Sequence, residues 1–192
     1  MTTMKQERTL AEKRFWQAIR QVAAESGLKS GWVHLGTPCS IREVADLMDR
    51  FQEDRQLPGF YGIRIPMGDI GGLTVSLLIE NQRELIIGIQ VEQQDDGLAD
   101  DLSFETYQGI LQKMSASQHG WNFDSPGWLA WKTPAVRLDF RSRQNKAFQD
   151  IIRNRDNSEA LYLISEEISD IIRDMSEMVL DKEKAKYGAV VN

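Results

Sequence analysis

The chain has 192 residues, 41% of them hydrophobic, with 23 Lys and Arg against 29 Asp and Glu and a formal net charge of −6. That size and balance fit one globular domain, 1–192, with a sizeable core, exclude a collagen-like or disordered chain, and argue against general affinity for nucleic acid. One cysteine and two histidines can form neither an internal disulfide nor a Cys/His zinc site, and no apolar run reaches membrane-spanning length, so a cytoplasmic protein with no cofactor is expected.

In Lys5 to Glu25 the apolar positions Leu10, Phe15, Ile19, Val22 and Ala23 recur at helical spacing and Gly27 supplies a stop, which predicts a first helix. GWVHLGTPCS, broken by Gly36 and Pro38, reads as a brief strand or loop. In SIREVADLMDRFQEDR, Ser40 and Glu43 have the spacing of a capping box, in which each side chain satisfies an unpaired backbone N–H of the other. Ile41, Val44, Leu47, Met48 and Phe51 share one face of this second helix, and LPGF ends it. Residues 1–57 are thus read as an N-terminal helical part.

The pattern changes at Phe60, and an α+β core is expected over 58–182. FYGIRIP alternates apolar and polar residues, and LTVSLLIE and ELIIGIQVE flank the polar NQR as strands flank a hairpin turn. Phe60 to Glu92 therefore predicts a three-stranded antiparallel meander. QQDDGLADD reads as a solvated loop, and FETYQGILQKMSAS as a helix with Phe104, Tyr107, Ile110, Leu111 and Met114 at helical spacing. AVRLDF alternates again and predicts the last strand. A short helix in SRQNKAFQDIIRN and a long one from DNSEALYL onward complete the chain, with 183–192 expected to fray. The expected fold class is α+β: an antiparallel sheet of about four strands packed against helices, with a long C-terminal helix.

Three features bear on function. GWNFDSPGWLAWK places Trp121, Trp128 and Trp131 around a Ser-Pro-Gly turn, directly before a segment rich in bases. Exposed indoles near positive charge form stacking surfaces, so Trp128, Trp131, Lys132, Arg137, Arg141, Arg143 and Lys146 are the candidate binding residues, although large aromatics also anchor cores. In the meander, Asp69, Glu80 and Gln82, with Glu92 beyond, have the residue types to hold Mg²⁺ for phosphodiester hydrolysis, loosely in the manner of a D…E-x-K core, with Gln82 standing where a lysine would be. The plainer reading of Glu80 to Glu84 is a polar turn. Leu161, Ile164, Ile168, Ile171, Met175 and Met178 form a heptad-type seam that either docks on the sheet or first helix or pairs a homodimer. Neither Cys39 with His34 nor the glycines of GDIGG carry the local pattern of a thiol enzyme or a phosphate loop.

The order GWLAWK, then Leu138-Asp139-Phe140, then FQDIIRN, then LISEEISDIIRDM, preceded by the hairpin LLIENQRELIIGIQVE, resembles the C-terminal region behind the nuclease core of some bacterial and phage PD-(D/E)XK nuclease-like proteins. The resemblance spans about Phe60 to Met178. It implies a companion of a catalytic core rather than the core itself, and the residues before Phe60 are too few to contain one. No family catalytic residue carries over. The leading expectation is a non-catalytic binding or regulatory module that contacts protein or nucleic acid through the Trp-rich turn and the basic segment. The alternatives are a metal-dependent phosphodiesterase or nuclease and a homodimeric scaffold.

Overall fold

Three long, largely apolar strands form the centre of the fold: β3 (Tyr61–Ile70), β4 (Leu73–Asn81) and β5 (Leu85–Gln93). The computed structural model describes residues 4–53, 59–70, 72–93, 100–123 and 128–188. Around the meander, β1 (Gly31–His34) and β2 (Thr37–Pro38) extend one side and β6 (Ala130–Lys132) the other. The result is a six-stranded antiparallel sheet in the order β2-β1-β3-β4-β5-β6. Five helices accompany it among the described residues: α1 (Met4–Glu25), α2 (Ile41–Glu53), α3 (Asp100–Ala116), α4 (Lys146–Asn154) and α5 (Glu159–Gly188). The chain is α+β with a long C-terminal helix, and the sheet is wider than the four strands expected.

Strand register sorts the side chains onto two faces. Ile63 pairs with Ile79 and Ile79 with Ile87, and Ile65, Leu77 and Ile89 form the next row, so period-two alternation places these residues on one face. All six are fully buried in the main core, together with Phe15, Trp16 and Ile19 of α1, Val44, Met48 and Phe51 of α2, Ile110 and Met114 of α3, and the α5 seam. The helices therefore cover this inner face. The outer face carries the rows Gly62, Glu80, Ile86 and Arg64, Leu78, Gly88, Trp131.

The capping box of α2 forms as predicted: the Ser40 N–H donates to Glu43 Oε2 at 2.7 Å and the Glu43 N–H to Ser40 Oγ at 3.2 Å. These bonds hold the Glu43 carboxyl below its ordinary range. At the start of α4, Asn145 Oδ1 accepts from the Phe148 N–H at 2.9 Å. On α5 the six seam residues are all buried, against α1, α4 and β3. The seam is therefore spent within the molecule, and pairing two copies through it would require α5 to leave the sheet. Of the tail expected to fray, 183–188 continues α5 and 189–192 lies outside the described residues.

Three expectations need correction. The label of a helical part for 1–57 is too narrow: GWVHLGTPCS, read as a brief strand or loop, forms β1 and β2, and β1 pairs with β3 across Trp32↔Ile63. In α1, Leu10 is 46% exposed while Glu12 is fully buried. A buried carboxylate requires hydrogen bonds, and Glu12 Oε1 accepts from the Tyr61 hydroxyl, with Asn81 Nδ2 and Trp16 Nε1 each 3.5 Å away. Asn81 Nδ2 also donates to the Tyr61 oxygen at 2.7 Å. Burial and then the Glu12 charge push the Tyr61 hydroxyl well above its ordinary range. Finally, AVRLDF is not a strand. It alternates as one, with Leu138 and Phe140 fully buried, but its Leu138 carbonyl takes one bond from the Leu85 N–H at 3.0 Å, and the strand beside β5 is Ala130–Lys132.

Candidate functional site

Asp69 and Glu80 of the meander do not converge, although Asp69 and Glu92 flank Thr74 in one row. Asp69 pairs with Thr74 and accepts from the Thr74 hydroxyl at 2.6 Å. Glu80 lies six residues further along β4, about 20 Å away at the rise of an extended strand. Glu92 is engaged by Arg64, whose Nη1 and Nη2 reach its two oxygens at 3.1 and 3.0 Å. Gln82 Nε2 donates to Glu80 Oε2 at 2.8 Å, so the E-x-Q pair closes on itself at the hairpin. Among the described residues no three His, Cys, Asp or Glu side chains are grouped to hold a metal ion. Glu80 is nevertheless unusual: burial raises its carboxyl pKa, against smaller opposing effects from Gln82 and His34. Cys39 has no nucleophile's setting either, since burial and then Glu43 raise its thiol.

The tryptophans and the bases that follow them occupy several different settings. Trp121 is buried, and its ring lies 5.9 Å from Lys132 Nζ. Trp131 pairs with Gly88 and Lys132 with Ile87, so adjacent residues of β6 point to opposite faces. Lys132 meets Glu167 of α5 at 2.5 Å, both side chains being under 15% exposed. Trp128 is half-buried on the outer face, laid against Gly88 so closely that a Cβ there would come within 1.4 Å of its indole. With Gln82, Ile86 and Trp131 it lines a shallow hollow of about 130 Å³. Arg141 stacks over Phe51 of α2, 4.2 Å from the ring centroid. Arg137, Arg143 and Lys146 are exposed. Of the expected binding residues, Lys132 and Arg141 are thus engaged within the fold, while Trp128 and Trp131 stand on the outer face. The turn Ser125-Pro126-Gly127 lies outside the described residues.

A larger concavity, about 910 Å³, lies between α1 and α2 and is floored by β1. The α1 wall presents Lys13, Trp16, Gln17, Arg20, Gln21 and Ala24, and the α2 wall Ile41, Val44, Ala45 and Met48. Leu28, Lys29, Ser30 and Trp32 complete the lining. Trp16, Val44 and Met48 are buried and make the lower part of both walls apolar, while Ile41 is 63% exposed at the rim. The charged lining residues are Lys13, Arg20 and Lys29, all cations. None of the three makes an ion pair among the described residues. The Arg20 guanidinium lies 5.9 Å from the Trp32 ring centroid, and Trp32 packs edge-on against Trp16 at 5.9 Å. The Trp32 Nε1–H is buried and has no acceptor among the described residues. Apolar lining with a few polar groups at its edge is the usual make-up of a ligand site.

Comparison with protein-family models, curated proteins and solved structures finds no match for this chain. The groove was not read from the sequence, but its traces are there. Trp16 stands two turns before Ala24 on a face that also carries Lys13 and Arg20, and Ile41 opens a helix whose remaining apolar positions turn inward. The missing information was the pairing of β1 with β3, which carries Trp32 beneath α1.

Proposed function

We propose that the chain is a non-catalytic binding module whose binding surface is the groove between α1 and α2. One observation carries this reading: in a chain of net charge −6 the charged residues lining its large groove, Lys13, Arg20 and Lys29, are all cations, while Glu25 beyond the lining is held by Gln21 at 2.8 Å. Solvated charge normally scatters both signs over a surface, and a concavity of one sign concentrates ligands of the other. An apolar floor within a cationic rim favours an anionic partner that carries apolar groups. The distance of Glu80 from Asp69 along β4 and the engagement of Glu92 by Arg64 give the nuclease reading no comparable support.

The test uses anilinonaphthalene sulfonate, a fluorescent apolar anion. The folded protein is expected to bind it saturably at one site, with energy transfer from tryptophan. Arg20→Glu with Ile41→Asp, both solvent-facing positions, is expected to weaken that binding by about tenfold or more, because it replaces a rim cation and a rim apolar group by two charges that repel the anionic dye. Trp128→Ala is expected to leave it unchanged. If the rim variant binds the dye as tightly as the native chain while keeping its melting temperature, the groove is not the binding surface.

A further inference from the structure

Resting on the groove as the binding surface, we infer that its occupant is an amphipathic α-helix of about three turns, flanked by acidic residues and supplied by a protein partner. Lys13, Trp16, Gln17, Arg20, Gln21 and Ala24 follow one another at intervals of three, one, three, one and three. This is the stripe by which a helix contacts a neighbouring helix. Ile41, Val44, Ala45 and Met48 repeat the pattern on the opposite wall. Two contact stripes facing each other across a strand form the seat of a third helix, and no described element fills it. From Lys13 to Ala24 the seat is about 16 Å long at the rise of an α-helix, which sets the three turns.

Other occupants fit less well. A peptide adding to the sheet needs an open strand edge, and β1 is paired on both sides, to β2 and to β3. Bases of a single-stranded nucleic acid need an open indole face to stack on, whereas Trp16 is 1% exposed and the half-buried Trp32 already has the Arg20 guanidinium over its ring. A lone acyl chain would cover the floor but would match only one end of the rim. Lys13 and Arg20 stand seven residues apart on α1, about 10 Å. A helix lying alongside presents acids at the same seven-residue interval on the edges of its apolar face, and so meets both cations at once. The net charge of the chain does not oppose this, because exposed charges beyond a Debye length of about 8 Å are largely screened at physiological salt, leaving the rim dominant.

The inference is tested with fluorescently labelled synthetic peptides of about fourteen residues, a length that spans the seat. One carries leucines at helical spacing with glutamates on the flanks. A second scrambles the leucine positions, a third replaces every glutamate by lysine, and a fourth places proline at the centre. Anisotropy is expected to register the first alone, with a gain of helical circular dichroism on binding. Combining Lys13→Glu, Arg20→Glu and Lys29→Glu is expected to weaken the acidic peptide by about tenfold or more and to create binding of the lysine peptide. The melting temperature of that variant confirms that it folds. If the dye binds in the groove but the periodic and scrambled peptides bind alike or not at all, or if the bound peptide gains no helicity, the helical partner is overturned while the binding surface stands. If neither the dye nor any peptide binds, both readings fail.

Discussion

Glu80 and Glu12 are two buried carboxylates with different supports. Glu12 lies on the buried side of α1 with the Tyr61 hydroxyl donating to it, and Trp16 and Asn81 close by. Glu80 faces the other side of the sheet and takes a hydrogen bond from Gln82. Neither burial was legible in the sequence. An acid between Ala11 and Lys13, or one opening a polar turn, looks solvated until a strand from elsewhere in the chain is laid over it. The spacing of Glu80 and Gln82 was legible, but their chemistry depended on where Asp69 falls in the register. The raised carboxyl of Glu80 has a definite consequence for stability. A group whose folded pKa lies above its unfolded value favours the fold below the unfolded value, about 4.3 for Glu, and loses that contribution as pH rises through the folded value. At neutral pH the buried charge therefore opposes folding. Glu80→Gln keeps a polar group beside Gln82 without the charge, so it is expected to raise the melting temperature at pH 7 and to lose this advantage as the pH approaches 4. A variant that melts at or below the native temperature at pH 7 would show that the ionised carboxylate is better supported than its burial implies.

At the level of elements, the legible parts were those whose signal is local. The capping box of α2 and the seam of α5 follow from spacing alone, and so does the alternation of the meander, which fixes its faces before any partner is known. The edge strand β6 was not legible, because Ala130–Lys132 is short and AVRLDF alternates more convincingly. Tertiary contacts decide between them. Lys132 reaches Glu167 on one face, the Trp131 and Asn122 backbones exchange bonds of 2.8 and 2.9 Å, and Trp128 lies on Gly88 on the other face. The absence of a Cβ at Gly88 is what admits the indole. Gly88→Ala would drive a methyl group into that ring and lift the chain leading into β6. Overpacking of this kind costs about 1–3 kcal/mol, measurable as a lower urea midpoint. Trp128→Ala on its own also loses burial, but in the double variant the methyl has no indole to meet, so the two losses should add to less than their sum. Simple additivity would mean that Trp128 does not rest on Gly88 in solution.

For the whole molecule, the sequence suggests a helical part before residue 57 and a sheet-bearing part after it, whereas the hydrogen bonding joins them. β1 closes one edge of β3, and the Leu35 N–H reaches the Phe60 carbonyl at 2.8 Å. The first part also fills the inner face: Phe15, Trp16, Ile19, Val44, Met48 and Phe51 are all buried in the main core. At about 1.5–3 kcal/mol for each large apolar side chain, those six represent on the order of 10 kcal/mol of burial, comparable with the whole stability of a typical domain, about 5–15 kcal/mol. The fragment 58–192 is therefore expected not to fold alone. It would expose an unpaired β3 edge beside an uncovered apolar sheet, a combination that favours aggregation. Co-expression with the fragment 1–57 should recover soluble material with native near-ultraviolet circular dichroism, because β1, α1 and α2 then return to the same contacts. The groove makes this result bear on function, since both its walls and its floor belong to the first fragment while β3 and the α5 seam hold that fragment in place. A cooperative thermal transition from 58–192 by itself would show instead that the sheet is self-sufficient and that the groove-bearing segment is an attachment to it.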